Sequence, residues 1–294
     1  MGDKAGFADF EQAIAIATEA RSPNQLQNAL NNLLTRQVSL GRLEEAAETL
    51  VACRRNLDRH PTSGRRRWVG LAELELAVLT GNWTQAKRLA DAFLAESHAA
   101  TRHVLDPIVH LLRALILLAQ GDLATASADT EAALALASRE EVQRGMEAGR
   151  AGKLLLELGR RDKAAALFAE LLGLREHLVY SLNDSPITDA AWLAHDLGRP
   201  DDYAALVVGS PQIPWAVAAE AICVGEFPRA ADVLEAIGYR PGEAYARLRA
   251  AKQLVQEGRR AEADAELQQA LAFWREVGAK RYVREGEALL AASA

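Results

Sequence analysis

Seven glycines stand at nearly even intervals along the chain, at Gly41, Gly81, Gly121, Gly159, Gly198, Gly225 and Gly258, with steps of 40, 40, 38, 39, 27 and 33 residues. Five residues after six of them comes an alanine: Ala46, Ala86, Ala126, Ala164, Ala230 and Ala263, with Tyr203 the exception. Seven residues before the last five stands another small residue: Ala114, Gly152, Ala191, Ala218 and Ala251. A period of this size is the mark of a repeat architecture. In the third unit, apolar residues at helical spacing (Leu105, Ile108, Leu112, Leu115, Leu118) lead into Gln120-Gly121-Asp122 and then a second helical pattern from Leu123. Glycine ends a helix in the left-handed conformation and the aspartate caps the next, so each unit reads as a helical hairpin. The tiny residues on both helices let them approach closely. One hairpin cannot bury both of its faces, so successive hairpins must stack.

The pattern predicts first helices over about 24–39, 65–79, 102–119, 141–157, 186–196, 212–223 and 242–256, each followed by a second helix. The fifth and sixth units are short, with Pro186, Pro200, Pro211 and Pro214 at loops or helix starts. Residues 1–22 read as the second helix of a hairpin whose first helix is missing, as in a piece cut from a longer protein. Residues 23–278 hold the hairpins, and 279–294 read as a capping helix with Tyr282, Val283, Leu289 and Leu290 on one face. The expectation is one all-α domain over 1–294, a right-handed α-solenoid of about seven hairpins and a cap.

Charge narrows the function. The 34 basic and 40 acidic residues are spread evenly, 12 against 12 in the first hundred residues and 11 against 14 in each later third, which gives no footprint for nucleic acid. No apolar run reaches the roughly 18 residues of a membrane span, so no membrane partner is expected. Cys53 and Cys223 have no metal-binding spacing and lie 170 positions apart, which favours a reduced, cytoplasmic chain.

Chemistry is not advertised. Gly149-Arg150-Ala151-Gly152-Lys153 has Glu147 where a phosphate loop needs glycine and Leu154 where it needs a hydroxyl, and it falls inside a helix, so packing is the better reading. His103 and His110 are too far apart along one helix to share a metal, and Asp106 and His110, one turn apart, are placed to pair; His195 beside Asp196 is similar. No nucleophile, metal site or cofactor is expected, and the chain is read as no enzyme. The one local charge anomaly is a basic patch of Arg54, Arg55, Arg59, Arg65, Arg66 and Arg67 around His60, read first as a solvated loop and helix end and second as a dock for an acidic partner.

Leu43, Trp83, Leu123 and Phe227 stand two residues after their glycines, and with the small residues on either side the unit resembles the tetratricopeptide (TPR) repeat, although its first units are nearer 39 residues than the usual 34 or so. The closing segment, with Phe273-Trp274 and Arg281-Tyr282-Val283-Arg284-Glu285, and the Pro214-Trp215 and Gly225-Glu226-Phe227 unit are similar to the C-terminal TPR region of large bacterial STAND-type ATPases, which carry class III nucleotide cyclase or DNA-binding domains. The resemblance covers the repeats only. It implies a non-enzymatic regulatory scaffold, binding a peptide or partner domain and acting on an attached ATPase or cyclase. The TPR groove positions carry over to Trp68, Leu71, Ile108, Leu111, Leu115, Met146, Lys153, Trp192, His195, Trp215, Tyr245 and Lys252. Rigid aromatics suit a binding surface, and equally suit gaps between unequal hairpins. The alternative function is a sensor holding a small-molecule effector beside Leu111, Leu115 and Met146.

Overall fold

A computed structural model describes residues 4–61, 63–99, 103–137, 141–174, 185–209 and 211–291. The described residues form sixteen helices and no strand. They are α1 (Lys4–Glu19), α2 (Pro23–Ser39), α3 (Leu43–Arg59), α4 (Ser63–Leu79), α5 (Trp83–Ala99), α6 (Asp106–Gln120), α7 (Leu123–Leu136) and α8 (Glu141–Glu157). The second half holds α9 (Arg161–Gly173), α10 (Ser185–Leu197), α11 (Pro200–Leu206), α12 (Pro214–Val224), α13 (Phe227–Ile237), α14 (Arg240–Gln256), α15 (Arg260–Glu276) and α16 (Lys280–Ala291). Residues 1–3 and 292–294 of the expected first helix and cap lie outside the described residues.

The repeat signature explains the hairpins. All seven repeat glycines have φ between 71° and 90°, and the six alanines five residues on are fully buried. At the third turn Asp122 accepts from the Thr125 amide at 3.1 Å and caps α7. Small residues on the first helices do the same work from the other side: a Cβ on Gly152 would meet Leu193 of α10 at 2.5 Å. First helices lie beside one another, α4 on α6, α6 on α8, α8 on α10 and α10 on α12, and each second helix packs on the next first helix. α1 packs on α2, and α16 covers α15.

The array also meets itself. α14 touches α4 and α16 touches α6. Trp215 of α12, fully buried, donates from Nε1 to the Val38 carbonyl of α2 at 2.8 Å, across 177 residues. Trp83 lies 6.1 Å from the Phe273 ring and 5.9 Å from Trp274. Arg281 donates to the Glu157 carbonyl at 3.0 Å and pairs with its carboxylate, and the Tyr282 hydroxyl donates to that carboxylate at 3.1 Å. Turns of the early hairpins are thereby seated against the last helices of the chain.

Candidate functional site

The twelve expected groove residues divide according to this closure. Trp68, Leu71, Ile108 and Met146 come together around one cavity of about 500 Å³ between α2, α4, α6 and α8. Its walls are mostly apolar, with Leu34 and Val38 from α2, Leu76 and Leu79 from α4 and Leu105 ahead of α6. Its polar atoms come from Asn31, Asn32 and Thr35 on α2 and Glu75 on α4. Trp68 sits at the rim 52% exposed, whereas the other four tryptophans are all buried to within 2%.

The remaining groove positions are engaged within the chain, which corrects their assignment to a partner's surface. Trp192 is buried, stacked on Phe227 at 5.3 Å and edge-on to Tyr245 at 4.8 Å, with Arg249 over its face at 5.0 Å. Trp215 is consumed by the contact to Val38. Leu111 is 1% exposed, and Leu115 packs against the core. The His195 ring faces the Cys223 carbonyl at 3.2 Å and Phe227 edge-on, while its neighbour Asp196 takes both arms of Arg249. Lys252 pairs with Glu285 of α16. What covers these positions comes from several helices of the closed array, α2 over Trp215, α13 and α14 over Trp192, and α16 over Lys252.

A buried ion network joins α8 to α10. Asp189 of α10, 1% exposed, accepts from Arg150 at 3.0 Å and from Lys153 at 3.0 Å, both on α8, and Lys153 lies 5.2 Å from the Tyr245 ring. Burial alone would raise the Asp189 pKa, but the Lys153 and Arg150 charges and their hydrogen bonds outweigh it and hold the carboxyl below its usual range. Arg150 in turn is pushed down by burial and, more strongly, up by Asp189 and by Glu75 on the cavity wall. Glu75 thus couples the cavity electrostatically to the network. The segment with the look of a phosphate loop is the part of α8 that carries these two cations, with Gly149 and Gly152 closely packed on α10.

The expected pairing of Asp106 with His110 is replaced by two separate ones. His110 Nδ1 meets Asp129 Oδ1 of α7 at 2.8 Å, and Arg113 grips both oxygens of the same carboxylate at 2.7 Å. Asp106 accepts from the Ser97 hydroxyl of α5 at 2.6 Å and the His103 amide at 2.8 Å. Residues a turn apart share one face of α6, and that face borders both α5 and α7, so Asp106 reaches the first and His110 the second. Among the described residues no group of three or more His, Cys, Asp or Glu is placed to hold a metal, and no helix is long and apolar enough to cross a membrane.

Half of the basic patch is structural. Arg54 pairs with Glu73, Arg65 donates to the Asn24 carbonyl at 2.7 Å, and Arg67 lies over the Phe93 ring at 4.2 Å and reaches Asp106 at 3.3 Å. Arg55, Arg59 and Arg66 stay exposed. Neither family models nor curated proteins offer a match to this chain.

Proposed function

We propose that the chain is a right-handed, TPR-like α-solenoid acting as a non-enzymatic regulatory module in the cytoplasm, and that it holds a small amphipathic effector in the cavity between α2, α4, α6 and α8. The observation that carries this is the cavity itself: about 500 Å³ of largely apolar space spanning the inner helices of four consecutive hairpins. That is the size and character of a small-molecule site, with a few polar groups to set orientation. An extended peptide would need a longer groove, and beyond α8 the α10 face is taken by α14, whose Tyr245 and Arg249 cover Trp192 and Asp196. Val38 lines the cavity and receives Trp215 on its carbonyl, so an effector that shifts α2 acts directly on the closure. An attached ATPase or cyclase would be biased by whichever arrangement the effector binds better.

Screening small metabolites by thermal shift tests this, because a ligand of the native state raises the melting temperature. A true effector also shields Trp68 from acrylamide and loses its effect in Ile108→Trp, which fills the cavity. A stabilising ligand that ignores Ile108→Trp overturns the assignment. The half-exposed Trp68 favours a second reading, in which a partner protein inserts an apolar side chain at the same rim. It predicts pull-down of a partner that Trp68→Ala releases, with no metabolite giving a shift.

A further inference from the structure

A second cavity, of about 340 Å³, lies between α10, α11 and α12, and it coincides with the one break in the alanine pattern. α11 ends after seven residues, so it leaves the groove between its neighbours uncovered. Tyr203 stands where six other units have a fully buried alanine. Its ring lines the cavity at 3% exposure, and its hydroxyl is hidden from solvent without a hydrogen-bond partner. Two groups bear electrostatically on that hydroxyl, Cys223 and Glu220, and both line the same cavity. A buried hydroxyl left unpaired is costly, and a site that needs one hydrogen bond completed from outside explains why it is there.

The rest of the lining defines what would complete it. Ile187, Val207 and Ala216 make the walls apolar, Glu220 is exposed at the rim, and among the described residues no lysine or arginine lines the space. Asp201 adds negative charge close enough to act on Cys223. We infer that this cavity is a second ligand site, independent of the one above, which takes a small organic amine. The ammonium donates to the Glu220 carboxylate and the Tyr203 hydroxyl oxygen, and the apolar body fills the space beneath.

The test is calorimetric titration of the full chain with 2-phenylethylamine, 2-phenylethanol and phenylacetate, three probes of one shape and different charge. The amine should bind at least tenfold more tightly than the anion. Tyr203→Phe, which removes only the unpartnered oxygen, should fold as well as the parent and weaken the amine about threefold to tenfold. Glu220→Gln, at the exposed rim, should weaken it by up to about fivefold. Ile108→Trp in the other cavity should change nothing. Equal binding of all three probes, no binding of the amine, unchanged affinity in Tyr203→Phe, or loss of binding in Ile108→Trp would each overturn the assignment.

Discussion

Alanine at Gly81 is the sharpest probe of how the array meets itself. Gly81 has φ of 84°, and a Cβ there would lie 2.7 Å from Cε2 of Phe273, 192 positions further along the chain (273 − 81). That ring has little room to retreat, being 7% exposed, edge-on to Trp83, in contact with Trp274 at 5.0 Å and capped by Arg240 at 4.9 Å. Gly159 supplies the control, with φ of 75° and nothing within 4 Å of its Cβ. Both substitutions impose the left-handed conformation on alanine, about 1 to 2 kcal/mol, and both stiffen the unfolded chain alike. Only Gly81→Ala also drives a methyl group into a packed aromatic cluster, roughly 1 to 3 kcal/mol more. Urea unfolding followed by circular dichroism should therefore show Gly81→Ala less stable than Gly159→Ala by that second amount, at similar denaturant slope. A difference under about 0.5 kcal/mol would mean that the second turn and the last hairpin do not touch in solution.

Asp189→Asn should cost about 3 to 5 kcal/mol in the same assay, because it leaves Arg150 and Lys153 buried without their counter-charge. The folded Asp189 carboxyl titrates below its unfolded value of about 3.9, so its contribution is full above that pH and is lost as pH falls through the lower folded value. Wild-type stability should thus fall more steeply below pH 4 than that of Asp189→Asn, and parallel curves would contradict the pairing. Burial pushes the Cys53 and Cys223 thiols up to about 11, so neither should react with a disulfide reagent at pH 8 until the chain unfolds, when both should. Fast reaction of either in the native chain would refute its burial. Acrylamide should quench only the Trp68 share of native fluorescence, and Trp68→Phe should leave a nearly unquenchable spectrum, unless the closure is open in solution.

Local periodicity carried the hairpins: α4, α8 and α14 fall within two residues of their expected bounds, because the glycine that must turn and the alanine that must be buried both repeat. Trp68, Ile108 and Met146 were likewise legible as neighbours, since one register places them on adjacent inner helices. Trp192 and Trp215 were not. The same register places them toward the inside, but what covers them comes from α2, α13 and α14, and a contact such as Trp215 to Val38 belongs to no period. Asp129 went unnoticed as the partner of His110 for a related reason, the pairing being set by how α7 lies on α6. Tyr203 was visible as an irregularity, yet nothing in the residues alone told that its hydroxyl would end up unpaired beside a cavity.

The seating of Phe273 on the second turn has a consequence for how such a chain can diverge. Open repeat arrays tolerate duplication or deletion of a unit, since only nearest neighbours notice. Here, an extra hairpin between α7 and α8 would add one helix to the layer of first helices and carry the far end away by about one helix width, roughly 10 Å. Phe273 would miss Gly81, and Trp215 would miss Val38. Descendants of this sequence are therefore free to change residues on the outer helices while the number of units stays locked.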